Sequence, residues 1–350
     1  MPIDPSPCAP DASFIFETFD SQGAGNGGNQ GTFPQSINAA GSITGYSIDA
    51  GLTYHGFVRM ADGTMVMIDV PGAGSGARQG TTPKSINRDG AVTGYYADSA
   101  GATRGFVRTP DGAFETFPVA KGSEDPFTFP NCINDGGVVV GLTNDSSGNG
   151  VGFLRAADGL ITTLDFPSQA WSVNAAGAVA ITGGVQGGEV FLRKPSGDLT
   201  SYKVPGVSFA AVNDAGTIMG RYAVAQTYHG FLLPSNGTVI PFDAPGAGPA
   251  GTTASAINND AFITGYYVDT SNVNHGFLRL PSGAIVIFDV PHTAGTYGTF
   301  AIGINAAGAV TGYYYDANLA AHGFAFIRCH ARFQKVYLID ERAFDAGPAN

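Results

Sequence analysis

The sequence predicts an all-β protein, a seven-bladed β-propeller of four-stranded antiparallel blades closed by an N-terminal strand. Three observations lead there. An (Ile/Val)-Asn pair recurs at Asn38, Asn87, Asn134, Asn174, Asn213, Asn258 and Asn305, with spacings of 49, 47, 40, 39, 45 and 47 residues. A second anchor follows each one, at Gly56-Phe57, Gly105-Phe106, Gly152-Phe153, Val190-Phe191, Gly230-Phe231, Gly276-Phe277 and Gly323-Phe324. Between the anchors, β-branched and aromatic residues alternate with small or polar ones, the period of strands rather than helices. Fixed repeats of this length are the size of a propeller blade.

Each repeat divides into four strands, here a to d. Strand a holds the Ser-Ile-Asn segment. A tight turn such as Ala39-Ala40-Gly41 leads to strand b, Ile43 to Ile48. A longer loop leads to strand c, His55 to Met60. A tight Asp62-Gly63 turn then gives strand d, Met65 to Val70. Asp-Gly is a strong hairpin signal because both residues tolerate positive φ. The b–c and d–a connections are long, variable and on one side of the ring. Binding and catalysis concentrate on such loops over a rigid scaffold.

The division is residues 1–13 as a tail, 14–328 as the propeller, and 329–350 as a C-terminal strand or tail. Phe14 to Asp20 repeats the strand-d pattern with no blade before it, so it is expected to complete the blade of Asn305. Cys8 and Cys329 then fall near each other, and a disulfide there would contribute about 3–5 kcal/mol in the chain-entropy model. Unpaired thiols at the chain ends are the alternative. Cys132 takes the Ser position of strand a, a small residue inside the fold.

Composition narrows the function classes. Of the 350 residues only 13% are charged, only five are Lys, and the net charge is -11, so nothing tracks a phosphate backbone and nucleic acid is not an expected partner. No apolar run approaches the roughly 20 residues of a membrane helix, and no membrane partner is expected. Met1 to Pro10 does not read as a signal peptide, which leaves a removed signal or a cytosolic protein; low Lys content and a Gly/Thr/Asn/Tyr-rich surface favour an extracellular or periplasmic location. A monomer without cofactor is expected.

His55-Gly56-Phe57, His229-Gly230-Phe231, His275-Gly276-Phe277 and His322-Gly323-Phe324, with their Ile-Asn-x-x-Gly segments, resemble the HAF-repeat family of bacterial extracellular proteins. The resemblance covers about Phe14 to Arg328. Gly replaces the family's Ala in each triplet, and Thr-Gly-Tyr often replaces its Val-Gly. It implies an exported, propeller-like protein and no particular chemistry.

The pairs Asp49/His55, Asp269/His275 and Asp316/His322 flank b–c loops. Metal ligation or acid–base chemistry would need these residue types. Their repetition favours blade support by cross-strand hydrogen bonds, and no metal site is expected. The pattern fades to Asp98/Arg104, Asp145/Val151 and Val224/His229, and is lost at Gln186/Glu189.

Residues that the repeat does not explain are the better functional candidates. His292, Tyr297, Arg78 and Arg104 are candidate catalytic residues, supplying acid, base and carboxylate-neutralising groups. Lys121, Glu124, Asp125, Glu189 and Arg221 are candidate ligand-binding residues. Trp171, the sole tryptophan, serves either as a stacking platform or in packing. The expected function is binding of a glycan or small polar ligand at the axial mouth of the long-loop face. The acidic balance points to neutral or cationic ligands. A polysaccharide lyase or hydrolase with one asymmetric site, or an interaction scaffold without chemistry, are the alternatives.

Overall fold

A computed structural model describes residues 14–118, 127–184, 188–291 and 297–328. Among them every regular element is a β-strand. The strands form four-stranded antiparallel blades. The blade of Asn38 comprises Gly31–Ile37, Ile43–Ile48, Tyr54–Arg59 and Met65–Met67. That of Asn87 comprises Gly80–Ile86, Val92–Ala97, Thr103–Arg108 and Phe114–Phe117. Strand a starts earlier than the Ser-Ile-Asn segment suggests. Strand d ends at Met67, although Ile68 N–H still donates to Gly56 O at 2.8 Å.

Blades are joined in two ways. Parallel bridges link Tyr54 to Gly80 and Gly31 to Ala321. The long strand Ile161–Val173 leaves one blade and enters the next, pairing first with Gly150–Arg155 and then with Val179–Gly183. Phe14–Phe19 pairs antiparallel with Ala321–Arg328, from Phe14↔Arg328 to Phe19↔Gly323.

The repeat letters now have physical roles. The strand-c phenylalanines Phe57, Phe106, Phe153, Phe231, Phe277 and Phe324 are fully buried. The strand-b Thr hydroxyls lie beneath them, Thr44 Oγ1 donating to Phe57 O at 2.9 Å and Thr93 Oγ1 to Phe106 O at 2.8 Å. The glycine after each such Thr permits close approach. A Cβ on Gly45 would stand 2.3 Å from Phe33 O and 2.9 Å from the Phe57 ring. A Gly-Thr pair opening strand a binds the preceding blade: Thr81 Oγ1 accepts from Val70 N–H at 2.9 Å, and Thr299 Oγ1 from Val290 N–H at 3.1 Å.

The asparagines link neighbours along the axis. Each uses Oδ1 to hold its own a–b turn, as in Ala91 N–H to Asn87 Oδ1 at 2.8 Å. Each uses Nδ2 to reach the next blade. Asn38 donates to Asn87 O, Asn87 to Asn134 O, Asn134 to Asn174 O, and Asn174 to Asn213 O. The series goes on from Asn213 to Asn258 O and from Asn258 to Asn305 O, and Asn305 donates to Asn38 O at 3.0 Å. All seven side chains are buried, so these bonds satisfy groups that would otherwise be costly.

Candidate functional site

Strand a is the innermost strand of each blade, and in most blades it carries a one-residue bulge three positions before the asparagine. The pairing register shifts between Pro34 and Ser36, Pro83 and Ser85, Pro130 and Cys132, Ala170 and Ser172, Ala254 and Ala256, and Ala301 and Gly303. Proline suits this place because it lacks the N–H that a ladder would need. A bulge re-aims the extra side chain. The expelled residues include Gln35, Lys84, Asn131, Trp171, Ser255 and Ile302, and all six line one axial cavity of about 380 Å³. In the blade of Asn213 the shift falls between Val207 and Phe209 instead. There Phe209 and the strand-b residue Arg221 complete the wall. Beyond this cavity, at the a–b turns, a smaller one of about 230 Å³ is rimmed by the axial asparagines.

The cavity wall is polar and aromatic. Lys84 Nζ donates to Gln35 Oε1 at 2.9 Å, and burial pushes the pKa of this ammonium down. Asn131 Nδ2 donates to Ala170 O at 2.9 Å. Trp171 Nε1–H donates to Thr182 Oγ1 at 2.8 Å, and its ring lies edge-on to Phe209 at 5.2 Å, so its orientation is held. Arg221 Nε donates to Ser208 Oγ at 3.3 Å, and the guanidinium lies over Phe209 and Tyr228, each 5.7 Å away. Cys132 also lines the wall, half-buried, its thiol pKa raised by burial. Among the described lining residues there is no carboxylate and no imidazole.

Of the residues singled out from sequence, Trp171 and Arg221 meet in this cavity. Tyr297 lies outside it, 47% exposed, but begins a run of ring contacts through Tyr315 and Phe300 that ends at Tyr266 in the cavity wall. Arg78 is exposed at positive φ (64°), the φ that Asn29 also has, and its N–H donates to Leu52 O. It occupies a repeated turn position away from the cavity. His292, Lys121, Glu124 and Asp125 lie outside the described residues, as do Cys8 and Cys329. The expected placement at the loop rim also changes: every described lining residue belongs to a strand, three or so residues from the tight turns.

Arg104 and Glu189 occupy the blade-support position, which the structure reveals to be larger than an Asp/His pair. His55 Nδ1 bonds Asp69 at 2.8 Å, while Nε2 faces Asp49 at 3.4 Å. His275 sits likewise between Asp289 (2.9 Å) and Asp269 (3.5 Å), and His322 between Asp20 (2.9 Å) and Asp316 (3.7 Å). His229 bonds Asp243 at 2.9 Å. The nearer aspartate is the one just past strand d, after Phe at Asp20, Asp243 and Asp289 and after Ile68 at Asp69, which sequence spacing from the b–c loop did not reveal. Burial pulls the His55 pKa down, but hydrogen bonds and charge from Asp69 and Asp49 outweigh it, and the net direction is upward. Asp49 is held low, first by the Thr53 N–H, against burial. Arg104 takes the histidine's place and faces Asp98 at 3.7 Å. Glu189 takes it in its own blade, where Lys203 replaces the strand-d aspartate: the pair is kept at 2.7 Å with its charges exchanged.

Sequence reasoning missed Gln35, Lys84 and Asn131. A signal existed. Three residues before each asparagine stand Gln35, Lys84, Asn131, Trp171, Ala210, Ser255 and Ile302, no two alike, inside an otherwise repetitive segment.

The fold and site define a β-propeller carrying an axial cavity with a non-repeating wall. Among solved structures, the chain is similar to a catalytically inactive virginiamycin B lyase from Staphylococcus aureus with quinupristin. The TM-score is 0.60 and the identity 14%, covering 90% of this chain and 99% of that one. It is similar to puromycin hydrolase complexed with PGG, with TM-score 0.55 and 13% identity, covering 81% of this chain and 50% of that one. A prolyl endopeptidase aligns with TM-score 0.54 and 12% identity, over 91% of this chain and 48% of its own. The chain thus spans about half the length of these two hydrolytic enzymes. The shared feature is the propeller fold. No family model and no curated sequence matches the chain.

Proposed function

We propose that the chain is an exported, seven-bladed propeller, closed by Phe14–Phe19, that binds a glycan or small polar ligand in its axial cavity. The blade number rests on the seven axial asparagines and on the bond from Asn305 to Asn38 O, which spans 267 residues of sequence. The observation that carries the binding reading is the bulge. Six strands each expel a different residue into one shared space, while the rest of the repeat is kept. Blade support needs no such variety. The cavity volume is at the lower end of the range for small-molecule sites, and a fixed Trp171 ring suits stacking on a sugar or aromatic face. Binding is preferred over hydrolysis or lysis because the described wall holds no carboxylate or histidine, the commonest acid–base groups; Lys84 and Tyr266 are among the groups there that such chemistry would have to use.

The test is a glycan array with a parallel polysaccharide-depolymerisation screen, using the full chain and its Trp171→Ala variant. Captured ligand that is lost in the variant, at unchanged melting temperature, supports the reading. Depolymerisation would favour the enzymatic alternative. Capture that survives Trp171→Ala undiminished would move the site elsewhere.

A further inference from the structure

We propose that the axial cavity receives a small ligand bearing a carboxylate, held between Lys84 and Arg221 with its remaining face against Trp171. This rests on the axial binding reading above and names its ligand chemistry.

The overall charge of -11 argues for neutral or cationic ligands, but the cavity wall has the opposite character. Lys84 and Arg221 both line it, and neither forms an ion pair with a described residue. The ammonium has three donors and directs one to Gln35 Oε1. The guanidinium directs Nε to Ser208 and lies over two rings, which hold its plane while its terminal nitrogens remain free of a described acceptor. Cations withdrawn from bulk water are normally paired, because removing water from an uncompensated charge is costly, and Lys84 and Arg221 are both half-buried. Here the counter-charge is missing from the wall, and a ligand carboxylate entering the cavity supplies it. Carboxylate suits the guanidinium because the planar fork matches two oxygens at once. Burial disfavours the charged form of Lys84 in the empty cavity, and a bound carboxylate would offset that by supplying the opposite charge. Sugar acids and aromatic acids share this chemistry, and either offers a flat or apolar face to the tryptophan.

The experiment is calorimetric titration of the full chain at pH 7 and fixed ionic strength with glucuronate, benzoate, glucose and inorganic phosphate. At least one carboxylate should bind tenfold or more tightly than glucose. Lys84→Met and Arg221→Gln should each weaken it tenfold or more. Lys84→Met should not lower the melting temperature of the ligand-free chain, since it removes a half-buried charge that has no ion-pair partner among the described residues, and this separates lost binding from lost folding. Whichever of glucuronate and benzoate binds identifies the sugar or aromatic source. Glucose binding as tightly as glucuronate, with Lys84→Met without effect but Trp171→Ala harmful, overturns the carboxylate and leaves the axial site standing. Phosphate binding more tightly than both acids overturns the carboxylate class. No binding of any probe at millimolar concentration overturns both readings.

Discussion

Replacing Asn87 by alanine tests whether the axial asparagines hold the blades together. The side chain makes two bonds of different kinds. Nδ2 donates to Asn134 O at 3.2 Å, and Oδ1 accepts from Ala91 N–H at 2.8 Å. In the variant Asn134 O keeps its bond from Gly137 N–H at 3.0 Å, so the first loss is one net hydrogen bond, about 0.5–1.5 kcal/mol. The second leaves the Ala91 N–H without its acceptor in a partly enclosed turn, about 1–3 kcal/mol. The sum is about 1.5–4.5 kcal/mol, measured as a shift of the urea midpoint at unchanged slope. Asn87→Asp is the sharper version. It preserves the acceptor for Ala91 but turns a carboxylate oxygen toward Asn134 O in a buried place, so at neutral pH it should cost more than alanine, and the difference should narrow in acid as the carboxyl protonates. If Asn87→Ala unfolds within about 0.5 kcal/mol of the parent, the usual scatter of neutral surface changes, the axial bonds are not what couples the blades.

Gly80→Ala should be severely destabilising, because φ is +110° and the new Cβ would stand 2.0 Å from Tyr54 O at the inter-blade bridge; Gly72→Ala, at φ +92° with open space, should cost only the backbone strain of about 1–3 kcal/mol. Thermal melts of the two variants make the comparison. His275→Ala should lower stability by about 0.5–1.5 kcal/mol through loss of the Asp289 bond and leave axial ligand binding unchanged; lost binding in a stable variant would make the support histidine part of the site. The Glu189/Lys203 pair should tolerate the joint exchange of Glu189→Lys with Lys203→Glu, while Glu189→Lys alone should cost about 0.2–1 kcal/mol by placing like charges opposite each other on neighbouring strands; a double-mutant cycle reads the coupling. The stability contributed by His55, whose folded pKa is raised, should be complete below its unfolded value and lost as pH rises through the folded value. That of Asp49, whose folded pKa is depressed, should be complete above its unfolded value and lost as pH falls through the folded one. Both are present together from roughly pH 4 to 6.5, and a pH series comparing the parent with His55→Ala should place the variant's largest deficit in that window.

Strand order, the a–b and c–d turns and the buried phenylalanines were readable because each depends on residues within one repeat, and repetition shows which letters matter. The pairing partner of Phe14–Phe19 was legible for the same reason: an isolated strand-d pattern needs a blade that lacks one. The support histidines were read with the weaker of their two partners. Asp49 is near His55 in sequence, whereas Asp69 meets it only through the c–d register. Arg104 was legible at the histidine position with Asp98 as its partner, and the structure keeps that pair. The partner of Glu189 was not legible, because Lys203 meets it only through the c–d register.

By itself, then, the sequence determined the all-β repeat, its strand boundaries to within a few residues, and the presence of Trp171 and Arg221 among the residues that blade-building does not require. Only the tertiary structure decided that these two belong with Gln35, Lys84 and Asn131. The reason is geometric. A bulge is one unpaired residue in a ladder, and nothing local to Gln35 or Lys84 shows which way it turns; the direction follows from strand a being innermost, and the company from different blades facing one axis across 40 to 50 residues of chain each.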